Sequence, residues 1–235
     1  MCFHISIKSG KEKIENKFNI QFDIGTIFKS QNHISAFTNP LIPCITTENN
    51  IKKIALCNWG LIPHWIESLD KAREIRKLTY NAKSETIRKK ASFKNSIKDN
   101  KCLVIADGFY EWKLTTKGKD CYYISIPNNE LFTFAGIQSN WLDKSSGEML
   151  STVSILTQSA NTMMEQIHNV KKRQPVILKE NNMYKWLKSG LDYEEILNDA
   201  YNINLESKLV DSPLRIKDGN YNLPIFNNRL NINKD

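Results

Sequence analysis

Strand-type segments follow one another from Cys102 to Leu156, and they narrow the possible folds more than anything else in the chain. Cys102 to Trp112 is an apolar run broken by Asp107-Gly108, which predicts two strands or one bent strand. Tyr122 to Ile126 and Leu131 to Ile137 read as strands joined through Pro127-Asn128-Asn129, a hairpin signature. Met149 to Leu156 is a further strand. Upstream, Phe3 to Ser9 alternates apolar and polar residues, Ser35 to Thr46 is an extended segment carrying Pro40 and Pro43, and Ile51 to Trp59 is a strand ended by a turn at Gly60. Hairpin-like connections dominate, so the sheet is expected to be mixed but mostly antiparallel.

Helices are expected at Leu69 to Leu78, at Ile87 to Ile97, and at Ser159 to Ile167 with Ser159 or Thr157 as the cap. Two more are expected near the end, at Asn182 to Leu187 and Tyr193 to Ala200. Lys11 to Gln31 mixes polar and apolar residues and suggests no element. There is no internal repeat and no clean linker. The 235 residues therefore read as one α+β domain over 2–215, followed by a polar, Asn-rich tail over 216–235.

The first two residues carry unusual chemistry. Removal of Met1 would leave Cys2 with a free α-amine and a thiol two carbons apart. The amine of such a 1,2-aminothiol condenses with an aldehyde to a Schiff base, and its sulfur then closes a five-membered thiazolidine. Free amines of this kind have a pKa of about 7.7–8.0 and free thiols about 8.5, so both are usable near neutrality. The expected strand from Phe3 would hold Cys2 at the edge of a core rather than loose in solvent.

The formal charge is +8, and it is concentrated. Between Lys71 and Lys101 eleven Lys and Arg residues face three acidic ones, which accounts for all of the excess. A segment of this kind suits a polyanion such as nucleic acid, or is simply a solvated helical face. Nearby, Trp59-Gly60-Leu61-Ile62-Pro63-His64-Trp65 places two tryptophans in an expected loop. Trp59 reads as a core anchor, and Trp65 suits stacking on an unpaired base as well as it suits packing. The five cysteines are scattered without a C-x-x-C spacing, which argues against a disulfide framework and a structural zinc site. Cys2 and His4 would make only two metal ligands, so no metal and no cofactor is expected. No apolar run approaches a membrane span and there is no signal-peptide pattern, so the chain reads as cytoplasmic, nucleoid-associated if bacterial.

Three more residues are candidates for chemistry. Glu111 lies among aromatics in Gly108-Phe109-Tyr110-Glu111-Trp112, where desolvation would raise its pKa into the range of a general acid. A solvent-facing strand glutamate is the simpler reading of the same residue. His168 ends an expected helix and suits a proton shuttle, or is a helix-end histidine favoured by the dipole. Asn81 could hold an amine or a sugar oxygen, or is a turn residue. Asp107 before Gly108 reads as turn chemistry.

These residues fall in an order that resembles the SRAP family, the SOS-response-associated peptidase domain of abasic-site-processing proteins. The resemblance rests on Cys2, Trp59-Gly60-Leu61-Ile62-Pro63, Asn81-Ala82-Lys83-Ser84-Glu85-Thr86, and the run Lys101 to Trp112. It continues through Phe134-Ala135-Gly136-Ile137, Ile155-Leu156-Thr157, Ala160-Asn161, Ile167-His168 and Arg173-Gln174-Pro175-Val176-Ile177-Leu178. It spans about residues 2–215. It implies a single α+β domain with a curved, barrel-like, mostly antiparallel sheet and surrounding helices. It also implies binding of single-stranded DNA containing an abasic site, and a thiazolidine crosslink between Cys2 and the ring-opened deoxyribose. Carried over by motif, Cys2 is the nucleophile, Asn81 positions amine and sugar, Glu111 is the acid/base, and His168 assists ring opening. Trp65, Lys83, Arg88, Lys90 and Arg173 would contact DNA, and the protein would act as a monomer.

The resemblance further implies an N-terminal-nucleophile autopeptidase, here with only Met1 to remove, and an abasic-site lyase side reaction. The chain departs from the family pattern in places. Phe3-His4 replaces the usual Gly-Arg, Lys83 replaces an arginine, and Arg173-Gln174-Pro175 replaces Arg-Met-Pro with two extra residues after His168. Two other functions suit the residues: a cysteine peptidase using Cys2 and His168, and a non-enzymatic single-stranded DNA binder.

Overall fold

The computed structural model describes residues 2–188 and 193–215; the expected tail over 216–235 lies outside them. The elements in chain order are β1 (His4–Ile7), α1 (Lys11–Phe18), β2 (Gln31–Ser35), β3 (Leu41–Glu48), β4 (Ile51–Trp59), α2 (Leu69–Arg76), β5 (Asn81–Lys83), α3 (Lys94–Asp99), β6 (Lys101–Ala106) and β7 (Gly108–Thr115). They continue with β8 (Gly118–Ser125), β9 (Phe132–Asp143), β10 (Glu148–Ser159), α4 (Thr162–Ile167), β11 (Arg173–Pro175), β12 (Ile177–Leu178), α5 (Glu180–Trp186), α6 (Glu194–Tyr201) and β13 (Glu206–Val210).

Five of these strands form a ring. β10 pairs with β4, β4 with β3, β3 with β6, β6 with β9, and β9 with β10 again. Only the β10–β4 step of this ring is parallel, so the closed sheet is a mixed barrel of mostly antiparallel pairs. Closure removes free edges, and the twelve residues of β10 extend past the ring to pair with β5 and β11. The whole of β6 is buried, which is why it reads in sequence as an uninterrupted apolar run rather than an alternation. Asn49 and Asn50 both have positive φ (49° and 62°) and make the tight turn between β3 and β4, a conformation Asn tolerates well.

A second, five-stranded sheet runs β13-β8-β7-β1-β2. It contains the one reversal of the strand assignments. β8 and β9 are not a hairpin: β8 pairs with β7 and β13, while β9 pairs with β6, β10 and β12. The Pro127 segment is a crossing between sheets. The real hairpin is β7–β8, closed by the short turn between Thr115 and Gly118. The expected Ile87–Ile97 helix is also cut down: turns occupy the stretch before Lys94, and only α3 is helical. The cap of α4 is Asn161, whose side chain accepts from the Met164 N–H, and not Ser159 or Thr157. Lys11–Phe18, left unassigned by sequence, is helical and buries Ile14 and Phe18.

One large apolar core fills the barrel and the space beneath the second sheet, and a smaller cluster of Ile62, Ile66, Ala72, Trp141 and Leu150 lies under α2. Trp59, Trp141 and Trp186 are fully buried, and each indole N–H reaches a carbonyl: Tyr80 at 2.9 Å, Ile66 at 2.6 Å, and both Cys102 and Gly136 at 3.1 Å. The reading of Trp59 as a core anchor holds.

Candidate active site

Cys2 is placed by the strand that follows it. β1 lies inside the second sheet, between β2 and β7, with Ile5 opposite Ile34 on one side and Phe109 on the other. The β1–β7 register carries the start of the chain toward Glu111 and Trp112. Asp107 fixes the other end of the strand. Its carboxylate is buried and accepts from the Ser9 hydroxyl (2.7 Å), the Ser9 N–H (3.1 Å) and the Lys8 N–H, while its own N–H donates to the Ser6 carbonyl at 2.9 Å. Asp107, which in sequence reads as turn chemistry, is in the structure the anchor of the strand that follows Cys2. An acidic residue inside an apolar run was the available signal, because a buried carboxylate needs donors. The next residue must be glycine, since a Cβ on Gly108 would overlap the Tyr123 hydroxyl.

Asn81 opens β5, which pairs in parallel with β10 through Ile155. From there its side-chain amide donates to the Cys2 carbonyl at 2.9 Å. Its Oδ1 is buried and has no partner among the described residues. Glu111 sits on β7 and is buried, and burial pushes its carboxyl up to about 7. That carboxylate is near enough to Cys2 for its charge, after burial itself, to help push the thiol up. The structure thus brings Cys2, Asn81 and Glu111 together.

His168 follows α4 and is tied to the strand bearing Glu111. The neighbouring Asn169 side chain accepts from the Leu114 N–H at 3.0 Å and donates to the Leu114 carbonyl at 2.9 Å. Burial pulls the His168 pKa down to about 4, opposite in sign to the dipole effect expected of a helix-end histidine. Its Nδ1 lies 3.0 Å from both the N–H and the carbonyl oxygen of Arg173. A neutral ring accepts from the first, and a protonated ring donates to the second, so one backbone unit serves both states.

The basic segment divides. Arg76 is buried, donating to Trp59 O and Asn58 Oδ1, and Lys101 is buried with its ammonium on the Lys188 carbonyl at 2.8 Å. Neither faces solvent as a phosphate ligand. Lys83, Arg88 and Lys90 are exposed, as is Trp65, at 47%. Arg88 donates to the Tyr193 hydroxyl at 3.0 Å and lies over that ring. Arg173 grips both oxygens of Glu85 and donates to the Thr157 carbonyl at 2.7 Å, which clasps the loop after Lys83 onto the barrel.

Sequence reading left His4 and His33 without partners. They are hydrogen-bonded to each other, Nδ1 to Nε2 at 2.9 Å, and His4 packs edge-on against Trp112. The described residues contain no group of three or more His, Cys, Asp or Glu able to hold a metal, and no helix long and apolar enough to cross a membrane.

A closed barrel, a second sheet holding β1, a buried cysteine just before that strand and a buried carboxylate near it define a protein of α+β type with a cysteine–carboxylate site. A family model described as SOS response associated peptidase (SRAP) matches residues 1–213, and the chain belongs to that family. Its relatives include the abasic site processing protein YoqW of Bacillus subtilis, 33% identical over 223 residues, covering 91% of this chain and 95% of that one. The abasic site processing protein HMCES of Gallus gallus is 34% identical over 158 residues, 59% of this chain and 45% of that longer one. A crystallographically determined protein from Bacteroides thetaiotaomicron is similar at 34% identity with a TM-score of 0.81, covering 89% of this chain and 92% of its own. A protein from Bordetella bronchiseptica, at 19% identity and a TM-score of 0.72, shares the fold.

Proposed function

We propose that this protein processes abasic sites in single-stranded DNA by joining Cys2 covalently to the lesion, acting as a monomer and shielding the lesion from strand cleavage. The observation that carries the reading is the meeting of three groups: the Cys2 backbone held by Asn81, a buried acceptor oxygen on the same Asn81, and a Glu111 carboxyl near 7 within electrostatic reach of the thiol. The names of the relatives point the same way.

The chemistry begins with loss of Met1, by autopeptidase action or by an aminopeptidase, since the Cys2 nitrogen is otherwise an amide. The freed amine attacks the C1′ aldehyde of the ring-opened sugar and gives a carbinolamine. Glu111, protonated through much of the neutral range, gives its proton to the departing hydroxyl, and water leaves. The Cys2 sulfur adds to the carbon of the resulting iminium while its proton passes to the Glu111 carboxylate, and the nitrogen keeps its one hydrogen and takes back the C=N electron pair to complete the neutral thiazolidine. The balance is one aldehyde, one amine and one thiol in, one thiazolidine and one water out. The raised thiol pKa suits this order, with the amine reacting first and the sulfur second. Asn81 Oδ1 would accept from the amine or a sugar hydroxyl, and His168 would carry protons during ring opening. The same Schiff base allows β-elimination, a lyase side reaction. Lys83, Lys90, Arg88 and Trp65 would track the DNA strand, with Arg173 holding the Lys83 loop.

The test is the intact mass of the Met1-free protein before and after mixing with an oligonucleotide carrying one abasic site. A gain equal to the oligonucleotide minus one water, absent in Cys2→Ala, supports the reading. Heat-stable adducts formed by Cys2→Ala would overturn it.

A further inference from the structure

Phe3 and Tyr80, the sequence neighbours of Cys2 and Asn81, make an aromatic shelf with Phe37. The Phe3 and Phe37 rings lie 5.0 Å apart at an interplanar angle of 32°. Tyr80 meets both edge-on, at 6.2 Å and 5.7 Å. Tyr80 is buried and donates its hydroxyl to Asn39 at 3.2 Å, so it is a fixed buttress. Phe37 is 58% exposed. Its backbone is nevertheless tightly held, because Ala36 N–H donates to the Phe3 carbonyl at 2.8 Å and the Thr38 hydroxyl to the Ser35 carbonyl at 2.9 Å. Asn39 ends the turn in the left-handed conformation.

The shelf follows the nucleophile directly in sequence, and Tyr80 directly precedes Asn81. The neighbouring His4 ring packs edge-on against Phe37 at 5.8 Å and is kept neutral by burial, which pulls its pKa to about 3. The buried Arg76 guanidinium lies behind the shelf, donating to the Asn39 carbonyl at 3.3 Å, so the charge sits beneath it and its exposed part is aromatic. Exposed cationic groups lie further along β5, at Lys83 on its far end. A nucleic-acid strand meeting such a surface stacks a base on it, because every base presents a π-face to an aromatic ring.

We propose that Phe3 and Phe37 are a stacking platform for the nucleobase flanking the abasic sugar, and that this base sets the position of the lesion over Cys2. The assignment rests on the abasic-site reading of Cys2. Phe3 and Phe37 are positioning residues in it and take no part in bond making.

The experiment uses the full chain and two oligonucleotide sets. In the first, a tetrahydrofuran abasic analogue, which has no aldehyde, replaces the lesion, and binding is measured by anisotropy. Each neighbouring nucleotide in turn carries adenine or no base. The wild-type protein should bind about five- to a hundred-fold more weakly when one particular flanking base is deleted. Phe37→Ala should lose a similar factor with the base present and become indifferent to its deletion, and Phe37→Trp should restore the preference. Equal weakening of Phe37→Ala on both oligonucleotides, or a wild type indifferent to either flanking base, would overturn the platform. The second set carries a true abasic site and is read by intact mass. A flanking-base preference with no covalent adduct would keep the platform and sink the crosslinking reading alone.

Discussion

The Asn81 side chain bridges 79 residues of chain to donate to the Cys2 carbonyl at 2.9 Å, and it leaves its own carbonyl oxygen buried without a partner among the described residues. An unpaired buried acceptor costs about 1–3 kcal/mol, a cost that a ligand donor would remove. Asn81→Ala deletes one hydrogen bond together with that unpaired oxygen. We expect stability to change by about 1 kcal/mol or less, while the crosslinking rate falls about a hundred-fold. Denaturation and single-turnover crosslinking measured on the same preparation check this. A large stability loss with unchanged chemistry would make Asn81 a purely structural tie.

Glu111 predicts a pH dependence of stability. Its carboxyl rises from 4.5 to about 7 through burial, so between those values the native state holds a proton that the unfolded chain has released. Stability then falls as pH rises through that window, and above it the deficit is on the order of 3 kcal/mol at about 1.4 kcal/mol per pH unit. Glu111→Gln removes the deficit. The variant should melt higher than wild type at pH 8 and converge toward it near pH 4.5, while crosslinking about a hundred-fold more slowly at pH 7. Thermal scans across pH 4 to 8 would show an opposite slope if Glu111 were ionised and satisfied in the native state.

Asp107 holds β1 through three accepted hydrogen bonds. Asp107→Ala strips the partners from buried donors, so a loss of about 2–4 kcal/mol is expected in urea denaturation. Ser9→Ala removes only one of the three and should cost about 1 kcal/mol. Equal losses for the two substitutions would contradict the clamp.

Lys83 and Arg173 separate through salt dependence. Lys83 is exposed, whereas the Arg173 guanidinium is engaged with Glu85 and Thr157. Lys83→Ala should reduce the slope of log affinity against log salt by about 1. Arg173→Lys should leave the slope alone and lower stability by about 0.5–1 kcal/mol, through loss of the two-pronged grip on Glu85. A reduced slope for Arg173→Lys would place that guanidinium on phosphate.

The residue patterns alone give a mixed, mostly antiparallel sheet; the barrel and the grouping of Cys2, Asn81 and Glu111 follow from the family resemblance that the ordered motifs carry. The partners of β8 and β9 were not legible in the sequence, because Pro127-Asn128-Asn129 has the composition of a hairpin loop and nothing local shows that the two strands enter different sheets. The Asp107 clamp needed knowledge of which backbone donors lie opposite it, 98 residues away at Ser9. Arg76 and Lys101 counted toward a basic footprint, yet both are spent inside the fold, a distinction that charge alone does not make. Ile87 to Ile97 has helical spacing, yet the backbone before Lys94 folds in turns that bury Ile87, and only α3 is helical.

The interior position of β1 also bears on force. Its ladders run to β2 on one side and β7 on the other, and Asp107 anchors its far end. A tether attached at Cys2 and pulled along the strand would load both ladders in shear at once, rather than peeling an edge strand pair by pair. A motor hauling on DNA joined to this residue would work against the unfolding barrier of the sheet, so the mechanical lifetime of the linkage would be set by the rate at which the sheet unfolds.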